Sequence, residues 1–243
     1  MPASFSDLKT ALTDLGLRKS LVLVHASDAL DAETLLNALL ETTRGIITPT
    51  FTYKSALETN SPKDAAKAEA FHLDVPADEA LGRFPEALRK HPKAKRSIHP
   101  ILSFADIHAD LIVQTQTAYE PFAPIEGLAN QDGFVLLAGV DHRADFSIHY
   151  GEKLAGRMQF IRWALTENGI VECPSCPGDA EGFGVIAPFL EKHTRRVDVD
   201  GVYLQAIPLK EILQVVVKKI HEDPYAFLCG RPECELCEAV RWG

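Results

Sequence analysis

Two short apolar runs, Leu21-Val-Leu-Val24 and Phe134-Val-Leu-Leu137, constrain most strongly what this chain can fold into. A strand with no polar face must be covered on both sides, and a parallel sheet sandwiched by helices provides that cover. Helical periodicity surrounds the runs. Phe5, Leu8, Leu12 and Leu15 mark a helix over 5–17, with Ser4 or Ser6 to cap it. Leu35, Leu36, Leu39 and Leu40 mark a second over 31–43, and Gly45 breaks it before a strand over 46–51. Further helices are expected over 78–91, 146–155, 181–193 and 209–222, a strand over 157–165, and a strand or hairpin over 197–207. Residues 54–77 are polar, Ala-rich and weakly periodic, and read as a loop that could carry function. The fold class that follows is α/β, a three-layer α/β/α sandwich around a largely parallel or mixed sheet. No repeat or low-complexity linker divides residues 1–243, so they read as a single domain with a tail from about residue 223.

Composition narrows the function classes. The net charge is −9, which argues against nucleic acid as a partner, because phosphate binding needs clustered Lys and Arg. An acidic surface suits a cationic ligand by long-range attraction, and equally suits simple solubility. No apolar run reaches the ~20 residues of a membrane helix. The first residues lack the basic and apolar regions of a signal peptide, so no membrane role is expected and a cytoplasmic protein is the default.

Four of the five cysteines form two Cys-x-x-Cys pairs, Cys173-Pro-Ser-Cys176 and Cys234-Glu-Leu-Cys237. Without a secretion signal such pairs point to metal or redox chemistry rather than a disulfide scaffold. Two pairs brought together would give four thiolates for tetrahedral zinc, a closed structural site clipping the C-terminal tail to the domain. Cys229 is a spare that could replace one of them. Reduced cysteines or a redox pair are the alternatives.

Four segments, in their order and spacing, resemble one enzyme family. They are Val24-His-Ala-Ser27; Thr48-Pro-Thr-Phe-Thr-Tyr53; Gly82-Arg-Phe-Pro-Glu-Ala-Leu-Arg89 followed by Arg96-Ser-Ile-His-Pro100 and Ser103; and Leu137-Ala-Gly-Val140 with Ser147-Ile-His-Tyr-Gly-Glu152. On these the chain is identified as resembling the antibiotic N-acetyltransferase family, typified by aminoglycoside 3-N-acetyltransferases. The resemblance implies an α/β/α sandwich distinct from the common acetyltransferase fold. In keeping with this, the only Gly-x-Gly, Gly182-Phe-Gly184, has Asp179 where the common pyrophosphate loop needs Gln or Arg.

The resemblance also implies acetyl-CoA as co-substrate, an amine of a small cationic molecule as acceptor, and His149 as general base. Imidazole titrates near neutrality and can take a proton from an amine; the plainer alternative is a partly buried helix His with one hydrogen bond. Glu152, three residues on, shares a helical face with His149 and could orient it, or be an ordinary solvated Glu. Ser27, Thr48, Thr50 and Thr52 sit at or near strand ends, where ligands of parallel sheets collect. Each could contact the pantetheine arm or make a local turn bond. Arg96 and Ser97 match the cofactor-side motif; Arg96 could pair with a phosphate or serve a structural ion pair. His25 reads as a packing residue. Departures from the family pattern, Pro121-Phe-Ala-Pro-Ile-Glu126, Phe146 in place of a Thr, and short stretches after Tyr53 and over 141–145, put the acceptor in doubt more than the reaction. Two rivals remain: an acyltransferase for a non-antibiotic amine, and a silent descendant whose zinc-clipped tail binds a protein.

Overall fold

The computed structural model describes residues 3–109 and 112–242. The helices are α1 (Phe5–Asp14), α2 (Ala32–Thr42), α3 (Pro62–Ala65), α4 (Arg83–Lys90), α5 (Ala123–Asn130), α6 (Ser147–Leu154), α7 (Ala187–Leu190), α8 (Leu209–Glu222) and α9 (Glu235–Trp242). The strands are β1 (Leu21–Ala26), β2 (Gly45–Pro49), β3 (Ala56–Leu57), β4 (Lys95–Arg96), β5 (Phe104–Ile107), β6 (Phe134–Ala138), β7 (Ile161–Thr166), β8 (Gly169–Pro174), β9 (Arg195–Val199) and β10 (Val202–Pro208).

Seven strands form one sheet in the order β4-β5-β2-β1-β6-β10-β9. The centre is parallel: β1 pairs with β2 (Val22 opposite Ile46) and with β6 (Leu23 opposite Val135). Both flanks are antiparallel, β5 against β2 and β10 against β6, so the sheet is mixed. Alternate residues of β1 feed two cores. Leu21 and Leu23 join Phe104, Leu137, Ile148 and Val216 on one face. Val22 and Val24 join Leu12, Leu36, Leu88 and Leu136 on the other. The expected three-layer α/β class is what the chain adopts. A second, three-stranded sheet, β3-β7-β8, stands beside it.

Local chemistry sets the helix starts. Ser4 caps α1 by accepting from the Asp7 amide at 3.2 Å, and Asp31 caps α2 by accepting from the Thr34 amide at 2.9 Å. At the start of α6, Asp145 accepts from both the amide and the hydroxyl of Ser147, at 3.1 and 2.6 Å. Gly151 lets α6 settle onto α8, since a Cβ there would lie 2.7 Å from Val216.

Several elements differ from expectation. The 78–91 helix is a 3-10 turn at Glu79–Leu81 and then α4, interrupted at Gly82. The 181–193 helix is two 3-10 turns around the four-residue α7. Residues 197–207 form the β9–β10 hairpin. The 54–77 excursion holds β3 and α3, and the tail carries the unexpected helix α9. No helix among the described residues is long and apolar enough to cross a membrane.

Candidate active site

The carboxyl ends of the parallel strands β1, β2 and β6 open onto a cleft of about 510 Å³, within the range of small-molecule sites. Ser27 and Asp28 after β1, Thr48 and Pro49 of β2, and Val140 after β6 line it. Phe51, Phe146 and His149, in ring contact through Phe146, form one wall, and Cys176 also lines the cleft. Phe51 and Phe146 meet edge to face at 4.6 Å between centroids, so the Phe that departs from the family pattern is a packed wall.

His149 is held from three sides. Its ring meets Phe146 at 5.4 Å and Phe183 at 4.7 Å. Its Nδ1 lies 2.7 Å from Glu152 Oε2, the i,i+3 contact that one helical face permits. The other oxygen, Glu152 Oε1, accepts from Arg157 NH1. Arg157 in turn donates to the carbonyls of Pro224 at 2.7 Å and Ala226 at 2.6 Å. His149 and Glu152 are 5% and 0% exposed, so each charge is fixed by its neighbour rather than by water.

Burial by itself disfavours the imidazolium of His149, but the Cys176 sulfur and the Glu152 carboxylate outweigh it and lift the pKa to about 10. His25 goes the other way: burial lowers it to about 4, against the opposing pull of Asp145. His25 also lines the cleft, and its Nε2 has no hydrogen-bond partner. The cleft is thus lined by two imidazoles whose pKa values are driven in opposite directions. Asp28, Glu79 and Arg143 are the other charged residues of its lining.

The expected cofactor contacts divide. Ser27 and Thr48 line the cleft; the Thr48 hydroxyl donates to the Val24 carbonyl at 2.9 Å. Thr50, Thr52, Arg96 and Ser97 do not line it, and each has a structural task. Thr50 Oγ1 pairs with Ser103 at 3.2 Å, and Thr52 donates to the Pro100 carbonyl at 2.6 Å. Ser97 Oγ accepts from the Phe104 amide at 2.8 Å and bonds Gln116. Arg96 donates to the carbonyls of Thr50 (2.7 Å), Leu73 (2.9 Å) and Val75, and stacks on Phe71 at 5.3 Å. Burial lowers the Arg96 guanidinium to about 10. It stitches the 54–77 excursion to the sheet and is not free to clamp a phosphate.

The cysteines require a second correction. Cys173 is fully buried in the core from β8, and burial, followed by Glu172, pushes its thiol up to about 11. Cys176 faces the cleft. Neither joins Cys234 and Cys237, which gather instead with Cys229 and Asp179. The four-thiolate site does not assemble, because β8 and the turn after it direct the first pair to the core and the cleft. Arg157 and Cys176 are the site residues that pattern reading missed. Arg157 lies past the helix end where no periodicity marks it, and Cys176 had a more obvious reading as half of a metal knuckle.

Known proteins share the sequence pattern and the fold of this chain. The sequence pattern described as aminoglycoside 3-N-acetyltransferase matches residues 23–221. Aminoglycoside N(3)-acetyltransferase VII of Streptomyces paromomycinus is 38% identical over 101 residues, 38% of this chain and 35% of that protein. Aminoglycoside N(3)-acetyltransferase IX of Micromonospora chalcea is 30% identical over 177 residues, 63% of each. The matches thus span about a third and somewhat under two thirds of those curated relatives. Among solved structures, a histidine-to-alanine mutant of aminoglycoside acetyltransferase AAC(3)-IVa in complex with a gentamicin superposes with a TM-score of 0.81 at 23% identity, over 100% of this chain and 98% of that one. AAC-IIIb binary with CoASH superposes at 0.79 and 19%, over 91% and 97%. With the pattern covering most of its length, the chain belongs to the aminoglycoside 3-N-acetyltransferase family.

Proposed function

We propose that residues 1–243 act as one catalytic domain that transfers an acetyl group from acetyl-CoA to an amine of a cationic, aminoglycoside-like small molecule, a reaction that confers antibiotic resistance. The observation that carries this reading is the buried His149–Glu152 pair, 2.7 Å apart, facing a cleft at the carboxyl ends of the parallel strands. Relatives with gentamicin or CoASH bound support both substrate classes. A cleft open beside His149 speaks against the silent binding protein. Acetyl-CoA is an intracellular metabolite, so the reaction belongs in the cytoplasm.

In direct transfer the acceptor nitrogen attacks the thioester carbonyl. The N–C bond forms, the C–S bond breaks, CoA leaves as a thiolate, and the surplus proton of the nitrogen passes to His149. Cys176 and Glu152 beside the ring raise its pKa, so the imidazole holds that proton firmly once it has received it. Ser27 and Thr48 at the cleft floor orient the acetyl-pantetheine arm, and Asp28 and Glu79 attract the cationic acceptor.

The position of Cys176 favours a second route. Its sulfur attacks acetyl-CoA, an S–C bond forms, and CoA leaves with the His149 proton. The neutral imidazole then takes the proton of the amine that attacks acetyl-Cys176, and the Cys176 thiolate is released. Thiol release from acetyl-CoA across a panel of amines that includes gentamicin and sisomicin tests the activity. No release with any amine, together with no CoA binding by calorimetry, would sink it; release with simple amines alone would assign a non-antibiotic acceptor. Intact mass after mixing with acetyl-CoA alone separates the routes, since only the two-step route leaves an acetyl adduct that Cys176→Ala abolishes.

A further inference from the structure

The C-terminal tail crosses the segment that follows β8 at very close range. A Cβ on Gly182 would stand 2.2 Å from the Phe227 carbonyl oxygen and 2.7 Å from the Leu228 carbonyl, so only glycine admits this approach. Beside the crossing, one ligand atom from each of Asp179, Cys229, Cys234 and Cys237 lies within 4.8 Å of the other three. Cys234 Sγ approaches Asp179 Oδ2 at 2.7 Å, the Cys229 amide points at Cys237 Sγ at 3.3 Å, and Arg231 reaches Asp179 Oδ2 at 2.8 Å. Three thiols and a carboxylate from two distant parts of the chain thus converge on one point.

We propose that this cluster is a structural zinc site, with Asp179, Cys229, Cys234 and Cys237 as its four ligands. Donors at about 2.0–2.3 Å from a central ion fall within the observed mutual spacing. Three thiolates select a borderline-soft divalent ion over magnesium or calcium. Four protein donors fill the tetrahedral shell and leave no position for water or substrate, so the ion holds structure. Cys234 and Cys237, at the start of α9, supply the two-sulfur knuckle, while Asp179 anchors it to the body of the protein.

The tail has need of such an anchor. Phe227, Cys229 and Cys237 are its buried apolar side chains among the described residues, while Tyr225 is 56% and Trp242 84% exposed. Packing alone gives α9 little to hold. The ion would also reach the catalytic pair indirectly. Arg157 donates to the carbonyls of Pro224 and Ala226, a few residues before Cys229, and to Glu152, which holds His149. A tail fixed at Cys229 keeps those two carbonyls in place.

Elemental analysis of protein purified under reducing conditions without chelator tests the site independently of activity. We expect zinc equimolar with the chain, lost in Cys229→Ser and in Cys234→Ser/Cys237→Ser, and retained in Cys173→Ala and Cys176→Ala. Chelation should lower Tm and expose tryptic cleavage at Arg241, whose guanidinium is tied to Glu238 and to the Cys229 carbonyl, with both effects reversed by added zinc. Should a ligand variant not fold, chelation of the wild-type protein still decides. Protein without zinc that takes up none when it is added, or zinc retained by the double serine variant, would overturn the proposal. So would zinc removal that leaves Tm and tail cleavage unchanged.

Discussion

Arg157 bonds the Glu152 oxygen that His149 leaves free. One carboxylate therefore joins a guanidinium through Oε1 and an imidazole through Oε2, all three groups being nearly sealed from water. Removing one member of such a pair strands a buried charge, which costs about 3–5 kcal/mol. Arg157→Ala should lose stability of that order in urea unfolding. A positioning role also requires that the His149 titration, followed by NMR, moves in this variant. Arg157→Lys should recover little, because an ammonium cannot span the carboxylate and two carbonyls together. A variant with wild-type stability and an unmoved His149 titration would refute the linkage.

His149→Ala should lower kcat by about 10²–10⁴-fold, the usual contribution of a positioned acid or base, with CoA affinity nearly unchanged. Cys176→Ala removes the influence of a sulfur that raises His149, so its imidazole should titrate at lower pH than in the wild type. Calorimetry and the pH–rate profile check these outcomes. Wild-type turnover in His149→Ala would exclude the imidazole from the reaction.

The buried histidines pull stability in opposite directions. His149, raised to about 10, contributes stability fully present below its unfolded value near 6.5 and lost as pH rises through about 10. His25 and His99, each lowered to about 4 chiefly by burial, contribute stability present above about 6.5 and lost as pH falls through about 4. Melting curves should therefore show an acid-side fall that His25→Gln makes shallower, and an alkaline-side fall that His149→Gln makes shallower. An unchanged acid limb in His25→Gln would show that this histidine is not held neutral.

Arg96→Ala should destabilise the protein without selectively weakening CoA, because its partners are the Thr50, Leu73 and Val75 carbonyls. Each bond from a charged donor contributes about 1.5–3 kcal/mol, so the loss should be plain in thermal unfolding. A variant of wild-type Tm with CoA binding abolished would return Arg96 to the cofactor.

Periodicity made much of the scaffold legible. β1 and β6 show as uninterrupted apolar runs, and α8 matches its expected 209–222 span because Leu209, Ile212, Leu213, Val216 and Ile220 keep a strict helical stripe. α6 was equally plain, and with it the shared face of His149 and Glu152. Elements shaped by tertiary contact were not. α5 carries Pro124 in its first turn and has a weak stripe, and β5 buries Asp106 in what would otherwise read as an apolar strand. Motif resemblance located Arg96 and Ser97 without revealing whether they face ligand or backbone. Cysteine spacing likewise shows which sulfurs are near in sequence and says nothing of which pairs meet. That depends on the path of β8 and on the close crossing at Gly182.

The bonds from Arg157 to the carbonyls of Pro224 and Ala226 span 67 and 69 residues of chain. During synthesis on the ribosome, His149, Glu152 and the whole of β1, β2 and β6 emerge long before those carbonyls do. A nascent chain can therefore form its cleft while Arg157 still lacks its last two partners. The His149–Glu152 pair gains the full support of Arg157 only once residues 224–226 are in place, so loss of that segment would cost the pair its alignment rather than the cleft its walls.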